Sequence, residues 1–326
     1  MEQRLLGASG VAVSPVGMGC MGITHAFGAP LPPEEGVRVI RAAYDMGYTF
    51  FDTAECYTGL YPDGSVAYNE TVVGEALRPV RDRVVIATKC GVQHGKDRSL
   101  LLDSRPETIR ASLEGSLRRL GTDYVDLYYQ HRIDPAVPPE AVAETMAGLI
   151  REGKIRAWGI SEANEEYLRR AHAVCPVAAV QNRYSMMARW HEPLFPVLEE
   201  LHIAWVAFSP MANGFLTGRY TPQSQFDAET DYRGAMPQYT EEGFRAASEL
   251  LALLRRLADE KHATPAQLSL AWMLCKKPYL IPIPGSRKPE RLAENLGAAD
   301  VQLTAGEIAR IDAALDTMHF AVFGGH

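Results

Sequence analysis

Short apolar runs rich in β-branched residues recur along the whole chain, and each has the length of a β-strand. Between the runs, apolar residues return every three or four positions, with helix start signals such as Pro33-Glu34-Glu35 and a stop signal at Gly121. Strands that alternate with helices pair in parallel through right-handed crossovers. The eight runs lie at residues 13–18, 49–52, 84–89, 125–131, 156–161, 177–181, 204–209 and 280–284.

Eight nearly continuous apolar strands, each followed by a helix, predict an α/β fold of the (β/α)8 type, the TIM barrel. The alternative is an open, doubly wound parallel sheet built from the same units. The periodicity favours the closed barrel but does not exclude the open sheet. The sequence motifs have to distinguish the two folds.

Segments at the two ends of the chain predict additions to the barrel. Residues 4–5 and 11–12 flank a Gly-Ala-Ser-Gly turn, which indicates an N-terminal β-hairpin that could close the barrel floor. Residues 243–261 and 265–274 have helical periodicity and precede the last strand. We therefore expect extra helices near the C-terminus.

One stretch between these additions has little periodicity. Residues 212–240 contain several glycines and prolines, and such a long irregular segment in a compact fold is usually a functional loop. No linker-like composition divides the chain, so we expect a single domain over residues 1–326.

The composition is that of an ordinary globular protein, with 47% hydrophobic and 22% charged residues and a formal net charge of -7. The absence of a Lys/Arg stripe argues against nucleic acid or an anionic membrane as the main partner. The apolar stretches are too short to cross a bilayer and the N-terminus lacks a secretory signal pattern, so we expect a cytoplasmic protein. The five cysteines are widely spaced without a C-x-x-C pair, which predicts reduced thiols and no metal site.

Polar residues stand where the apolar runs end. In a parallel barrel the active site lies at the carboxyl ends of the strands, so these residues are the natural candidates for chemistry. A single polar strand end is routine, but this many on one rim indicates a functional site. They are Asp52, Lys89, Gln130, His131, Ser161, Gln181, Asn182, Ser209, Gly285 and Ser286.

Three of these residues suit proton transfer together with Tyr57, which follows Asp52 after a short turn. A phenol is a weak acid at neutral pH, but a neighbouring Lys89 ammonium would lower its pKa. Asp52 would hold Lys89, and His131 would donate a hydrogen bond to a substrate carbonyl as its oxygen becomes negative. The alternative, a structural ion pair beside a core histidine, leaves the shared rim location unexplained.

The glycines of residues 17–22 match the G-x-G-x-x-G dinucleotide fingerprint in letters only. That fingerprint requires a helix to open within the glycine turn, yet the next helical pattern begins near Pro33. We therefore expect no Rossmann-type site.

A better anion site lies between the eighth strand and the helix that starts near Pro289. Ser286, Arg287, Lys288 and Arg291 surround the predicted helix start, whose free N–H groups favour phosphate. Loops after strands 7 and 8 of such barrels commonly bind phosphate. A solvated basic turn is the alternative for this segment taken alone.

Several of these motifs resemble the aldo-keto reductase family. Residues 52–57, Asp-Thr-Ala-Glu-Cys-Tyr, look like the signature of its strand 2, Lys89 ends a similar strand 3, and residues 120–127 lead to His131 as in the family. The likeness runs from the N-terminal hairpin to Asn295. It implies that Asp52, Tyr57, Lys89 and His131 form the catalytic tetrad.

The resemblance also implies a bound NADPH or NADP+ and assigns residues to it. Ser161, Gln181 and Asn182 resemble the positions that hold the nicotinamide carboxamide, with Glu162 where many members have asparagine. Gly285 stands where many members have lysine, so Arg287 or Lys288 is expected to supply that charge. The ring of Phe208 would stack on nicotinamide, Ser209, Met211, Gly214, Leu216 and Gly218 would wrap the pyrophosphate, and Gly285, Ser286, Arg287, Arg291, Glu294 and Asn295 would hold the adenosine end.

The activity implied by the resemblance is reduction of an aldehyde or ketone by hydride transfer, with Tyr57 as proton donor and no metal. Two other functions stay open: a nicotinamide-binding sensor with little turnover, and an unrelated barrel enzyme whose phosphate pocket binds substrate. Cys56 and Cys90 flank Tyr57 and Lys89, which leaves oxidation at the rim open. The small carbonyl substrate and the oligomeric state are not specified by the sequence.

Overall fold

The structure, a computed structural model, describes residues 2–95 and 99–324. Most of the strands in these ranges are buried, as the apolar runs require. They are β1 (Arg4–Leu5), β2 (Ala12–Val13), β3 (Met18–Gly19), β4 (Phe50–Asp52), β5 (Thr58–Leu60), β6 (Val66–Tyr68), β7 (Val85–Cys90), β8 (Val92–His94), β9 (Leu100–Leu102), β10 (Val125–Gln130), β11 (Ile155–Ser161), β12 (Ala179–Arg183), β13 (Ala204–Phe208) and β14 (Leu280–Pro282).

Eight of these strands form one parallel sheet in the order β3, β4, β7, β10, β11, β12, β13, β14. The backbone N–H of Gly17, next to β3, donates a hydrogen bond to the carbonyl of Pro282 in β14 over 3.0 Å. This bond joins the first and last strands and closes the sheet. The predicted (β/α)8 barrel is confirmed.

The helices cover the outside of the barrel and bury one apolar face each against it. Several follow the sequence signals closely, with proline in the first turn of α1 and α3 and a left-handed Gly121 (φ 64°) after α3. They are α1 (Pro33–Met46), α2 (Asn69–Leu77), α3 (Pro106–Leu120), α4 (Pro139–Arg151), α5 (Glu165–Val174), α6 (Phe195–Glu200), α7 (Glu241–Ala246), α8 (Ser248–Glu260), α9 (Pro265–Lys276), α10 (Pro289–Leu296) and α11 (Ala305–Leu315). Among the described residues, none of these helices has the length and apolar character needed to cross a membrane.

Two predicted elements are wrong in their bounds. The first strand was expected over residues 13–18, but the chain there is shared between the second hairpin strand β2 and the barrel strand β3. Pro15 stands between them and cannot donate a ladder hydrogen bond. The helix expected over residues 243–261 is divided into α7 and α8 at Ala247, whose backbone angles (φ -94°, ψ 4°) depart from helical values.

The N-terminal hairpin closes the floor of the barrel, as predicted. β1 and β2 pair antiparallel, and the hairpin residues Leu6, Val11 and Val13 are buried in one apolar cluster with barrel-interior side chains such as Phe50 and Leu127. Because this end is filled, the barrel is open to ligands only at the carboxyl ends of its strands.

The loops at that open end carry most of the irregular structure. Two antiparallel hairpins, β5–β6 and β8–β9, follow strands β4 and β7. Residues 212–240 contain only short 3-10 turns, in agreement with the irregular loop expected there. This loop contacts the β3–α1 loop through Gly28 N–H to Thr230 carbonyl and Tyr232 N–H to Ala26 carbonyl hydrogen bonds, both 2.9 Å.

Candidate active site

A cleft of about 630 Å³ opens at the carboxyl ends of the barrel strands. Its walls come from the loops after the strands, the 212–240 loop and the start of α10. The cleft brings together residues that lie more than 200 positions apart, as the barrel predicts. The predicted site residues that line it are Asp52, Tyr57, His131, Ser161, Gln181, Phe208, Ser209, Met211, Gly214, Gly285, Ser286, Arg287, Arg291, Glu294 and Asn295.

Lys89 lies beneath the cleft floor with 0% of its surface exposed. Its ammonium donates to Asp52 Oδ1 (2.5 Å), to the Thr53 carbonyl (2.8 Å) and to the Tyr57 hydroxyl (3.2 Å). Burial lowers the pKa of Lys89, but the attraction of Asp52 and Tyr57 outweighs it, so the pKa is raised and the side chain stays a cation. The tetrad is therefore organised around one buried charge.

Asp52 is 3% exposed and is held from two sides. Oδ1 accepts from Lys89, and Oδ2 accepts from Gln181 Nε2 at 2.7 Å. Burial raises the pKa of Asp52, while Lys89 and Gln181 oppose that rise. Gln181 thus has a structural role toward Asp52 in addition to its expected contact with nicotinamide.

The Tyr57 hydroxyl faces the cleft beside the His131 ring, with the two ring centres 5.8 Å apart and nearly perpendicular. Burial raises the pKa of Tyr57, and Lys89 pulls it down without reversing the rise. The expectation that Lys89 brings the phenol below its ordinary pKa is therefore wrong in net direction. Tyr57 is a protonated phenol at neutral pH, in the form that can donate a proton.

His131 is a neutral imidazole. Burial and then the nearby charges of Arg132 and Lys89 hold its pKa well below the ordinary value of 6.5. Its Nδ1 lies 3.5 Å from the Cys56 sulfur, and burial raises the pKa of Cys56 to about 12, so this sulfur carries a proton. When this thiol donates to Nδ1, the imidazole proton lies on Nε2. In that tautomer the ring can donate one hydrogen bond from Nε2.

The cysteines near the rim are not poised for oxidation. All five cysteines are free, and Cys20, Cys56, Cys90 and Cys175 are buried. Burial raises the pKa of Cys90 as it does that of Cys56, and the thiolate is the reactive form. The structure describes all five cysteines as free, and their reduced state stays a prediction from the spacing.

The side of the cleft opposite Tyr57 is formed by strands β11 to β13. Ser161 Oγ donates to the Gln181 carbonyl (2.9 Å), and the Phe208 ring lies at the end of β13. Asn182 does not reach the cleft, because its side chain bonds the Ala163 N–H and carbonyl, both at 3.0 Å. Ser161, Gln181 and Phe208 thus lie together, and Asn182 lies apart from them.

The loop after β13 has an unusual backbone. Ser209, Ala212 and Asn213 have φ angles of 49°, 47° and 61°, and Gly214 follows at 96°. The N–H groups of Ala212 and Gly214 donate to the carbonyls of Ser209 and Met211, both at 3.0 Å, so the loop is held in this shape by its own hydrogen bonds. Of the predicted residues in the described loop, Leu216 is buried in the outer core, Gly218 ends a 3-10 turn at φ 67°, and neither lines the cleft.

At the far end of the cleft, the start of α10 carries the predicted phosphate site. Ser286 Oγ accepts from Lys288 N–H (3.1 Å) just before the first turn of α10. A Cβ atom at Gly285 would stand 2.5 Å from the Gly19 carbonyl oxygen, which explains why lysine cannot occupy this position here. The positive charge at this end therefore comes from the residues after Ser286.

Two of the predicted adenosine-end residues already have protein partners. The Arg287 guanidinium donates to the carbonyls of Gly22, Gly28 (3.0 Å) and Ala29 (2.8 Å), and so fixes the β3–α1 loop. Glu294 pairs with Arg219 of the 212–240 loop at 2.5 Å. Lys288 and Arg291 are thus the cations most available to a phosphate in this part of the cleft.

Sequence reasoning missed four arginines that line the cleft, Arg132 and Arg183 at the catalytic end and Arg219 and Arg233 in the 212–240 loop. Arg132 directly follows His131, and Arg183 lies two positions after Gln181 on the same face of β12. The period of two along a strand was a signal that could have identified Arg183.

The geometry defines a class of protein first: a (β/α)8 barrel with a buried Lys–Asp pair hydrogen-bonded to a tyrosine at the floor of a long cleft, which ends beside a helix start with basic residues. The aldo/keto reductase family model matches residues 15–316. A probable aldo-keto reductase from Glycine max is 38% identical over 308 residues, covering 94% of this chain and 86% of that protein. The chain therefore belongs to the aldo/keto reductase family and is an NADP-dependent oxidoreductase, as the motifs predicted.

Solved structures agree with this assignment. The glycerol dehydrogenase AKR11B4 from Gluconobacter oxydans superposes with a TM-score of 0.85 at 28% identity and covers 97% of this chain and 95% of its own. An aldo/keto reductase from Klebsiella pneumoniae, solved with NADP and acetate, has a TM-score of 0.73 at 27% identity and 99% coverage of both chains.

Proposed function

We infer that this chain reduces an aldehyde or ketone to the alcohol with NADPH, and that Tyr57 is the proton donor. The observation that carries this proposal is the position of the Tyr57 hydroxyl, which faces the cleft 3.2 Å from the buried Lys89 ammonium and beside the neutral His131. A protonated phenol and a neutral imidazole donor suit a carbonyl oxygen that gains negative charge.

Each polar side chain at the catalytic end has its own role in the proposed reaction. Tyr57 gives its proton to the carbonyl oxygen, and Lys89 then stabilises the phenolate that remains. Asp52 and Gln181 keep Lys89 in place. His131 orients the carbonyl oxygen through Nε2–H. The nicotinamide supplies the hydride that reaches the carbonyl carbon, and the barrel supplies position and electrostatics.

The residues that line the cleft offer contacts for each part of NADPH. Ser161, Gln181 and the Phe208 ring would hold the nicotinamide, and the segment from Ser209 to Gly214 would lie along the pyrophosphate. Ser286, Lys288 and Arg291 would hold the 2′-phosphate at the start of α10. This donor set at the far end favours NADPH over NADH. The other predicted adenosine contacts, Glu294 and Asn295, line the same end.

The test is NADPH consumption with 4-nitrobenzaldehyde, followed by absorbance, for the wild type, Tyr57→Phe and Tyr124→Phe. Tyr124 precedes the N-terminal end of β10, at the opposite end of the barrel, and is the matched control. We expect wild-type turnover, a loss of about 10²–10⁴-fold in Tyr57→Phe because the acid is gone, and no loss in Tyr124→Phe. NADH should support weaker turnover than NADPH.

Other results would contradict this proposal. Tight NADPH binding without turnover across a carbonyl panel would indicate a nicotinamide sensor. No binding of either nucleotide would indicate an unrelated barrel activity. The cytoplasmic location stays a prediction.

A further inference from the structure

Two guanidinium groups lie at the catalytic end of the cleft, Arg132 and Arg183. The guanidinium carbon (Cζ) of Arg132 lies 5.9 Å from the centre of the Phe208 ring, and that of Arg183 lies 4.9 Å from it. Arg132 Nη1 donates to the His131 carbonyl (2.6 Å) and to Ser161 Oγ (3.0 Å). Arg132 is thereby attached to the strand ends that carry the reacting groups.

Arg183 is held differently, between two aromatic rings. Its guanidinium carbon lies 4.9 Å from the Phe208 ring centre and 5.8 Å from that of Phe323 in the C-terminal tail. Its nearest polar side-chain partner is Asn213 Oδ1 at 3.5 Å. Phe208 is partly buried and Phe323 is 43% exposed, so the two rings cover the faces of the guanidinium only in part, and Arg183 lines the cleft.

In the described part of the chain, neither guanidinium forms an ion pair with a carboxylate. Glu162 is the closest acid, but its carboxylate accepts from the Arg183 backbone N–H (2.9 Å) and faces His191 Nε2 (3.6 Å). Burial lowers the pKa of Arg183 to about 10, with Glu162 opposing and Arg132 adding to that shift. Arg183 still carries its full charge at neutral pH.

No other charged group at this end acts as a counterion for the two arginines. Asp52 is an acid nearby, but it already pairs with Lys89. Burial holds the pKa values of His25, His94 and His131 below the ordinary histidine value, so all three are neutral at physiological pH. The catalytic end of the cleft therefore has an excess of positive charge.

The other arginines of the cleft belong to the 212–240 loop and to the start of α10. Arg219 pairs with Glu294, Arg233 pairs with Asp231, and Arg287 binds three backbone carbonyls. Arg287 and Arg291 also lack an ion-paired acid in the described chain, but they lie at the far end of the cleft, whereas Arg132 and Arg183 lie together at the catalytic end. Such a pair is typical of a site that binds an oxyanion.

We propose that Arg132 and Arg183 bind a carboxylate or phosphate group of the substrate, so that the preferred substrates are anionic carbonyl compounds. The proposal rests on the proposed reductase function, because it assigns the substrate of the same site. An anion between Arg183 and Arg132 would lie near His131, whose Nε2–H would donate a hydrogen bond to the carbonyl oxygen. The same two cations could instead neutralise the cofactor pyrophosphate, since Asn213 belongs to the loop expected to wrap it.

The experiment compares 4-carboxybenzaldehyde with its neutral methyl ester, methyl 4-formylbenzoate, in full-length protein. The variants are Arg183→Met, which keeps the apolar stem between the rings, Arg183→Lys, which keeps the charge, and the control Arg38→Met on the exposed face of α1. We expect the wild type to prefer the acid. Arg183→Met should raise KM for the acid by about 10- to 100-fold, the range of a hydrogen bond to a charged group, and leave the ester unchanged.

Arg183→Lys should restore part of the preference, and Arg38→Met should behave as the wild type. Equal kcat/KM for acid and ester in the wild type, or equal losses for both in Arg183→Met, would overturn the proposal. Weaker NADPH binding by fluorescence titration in Arg183→Met, with the acid preference intact, would overturn it in favour of the pyrophosphate.

A binding measurement separates this proposal from the proposed function. Calorimetry with the protein–NADP+ complex compares 4-(hydroxymethyl)benzoate with its methyl ester, and needs no turnover. Binding of the acid that depends on Arg183 in a protein without reductase activity would leave the anion site standing and remove the reductase function. Failure of the acid to bind better than the ester, in a protein that reduces 4-nitrobenzaldehyde, would remove the anion site alone.

Discussion

Replacing Lys89 with methionine tests whether the tetrad is held together by one buried charge. The substitution removes the hydrogen bonds to Asp52 Oδ1 (2.5 Å), the Thr53 carbonyl (2.8 Å) and the Tyr57 hydroxyl (3.2 Å). Asp52, only 3% exposed, keeps Gln181 and loses its countercharge. Removing one partner of such a buried pair costs about 3–5 kcal/mol of folding free energy.

A double-mutant cycle separates the charge from the lost packing. In Asp52→Asn/Lys89→Met no uncompensated charge remains, so the double variant should be more stable than Lys89→Met alone by about 1–3 kcal/mol. Urea unfolding followed by circular dichroism measures the free energy of unfolding. Lys154→Met, at an exposed ion pair with Glu114, is the control and should leave that free energy nearly unchanged.

The result that would refute this reasoning is additivity. If Lys89→Met and Asp52→Asn destabilise independently, or if Lys89→Met lowers the unfolding free energy by less than about 1 kcal/mol, the pair does not organise the site. Lys89→Met, Asp52→Asn and the double variant should each lose most of their reductase activity. Tyr57 loses the Lys89 cation that stabilises its phenolate, or Lys89 loses the Asp52 carboxylate that positions it.

Three further predictions concern the acid, its neighbour and the cofactor. Burial raises the pKa of Tyr57 above its ordinary value of 10.0, so kcat/KM for reduction should stay level from neutral pH to that value and fall only above it; a fall that begins near pH 7 would contradict the raised pKa. Cys56→Val removes the hydrogen-bond partner of His131 Nδ1 and should lower kcat by about two- to tenfold, the range of one hydrogen bond, while Cys56→Ser should retain most activity. Arg291→Leu should raise KM for NADPH by about tenfold or more without changing KM for NADH, and an equal change for both would place the 2′-phosphate elsewhere.

Local patterns in the sequence predicted alternating strands and helices, because the barrel strands are mostly apolar runs and helices such as α1 and α3 begin with proline; the motifs then favoured the closed barrel over an open sheet. The patterns gave wrong bounds where one apolar run contributes to two strands, as around Pro15 between β2 and β3. Polar strand ends located Asp52, Lys89 and His131. The roles of Arg183 and Cys56 depend on contacts with Phe323 and His131, which lie far away in the chain, so spacing could not show them.

The pKa values of the site residues also could not be predicted from the sequence alone. Lys89 could be named from the sequence as the cation near Tyr57, but the depth of burial that reverses the expected pKa shift depends on the packed structure. In the same way, Gly285 could be seen to replace a lysine, but only the close approach of Gly19 explains why.

The central claim is that this cleft directs hydride from the nicotinamide to a carbonyl carbon. The most direct measurement uses NADPH deuterated at C4 with 4-nitrobenzaldehyde, followed by mass spectrometry of the alcohol. The account predicts one deuterium at the carbinol carbon for the wild type and far less product with Tyr57→Phe. An alcohol without deuterium at that carbon, or equal product from Tyr57→Phe, would contradict it.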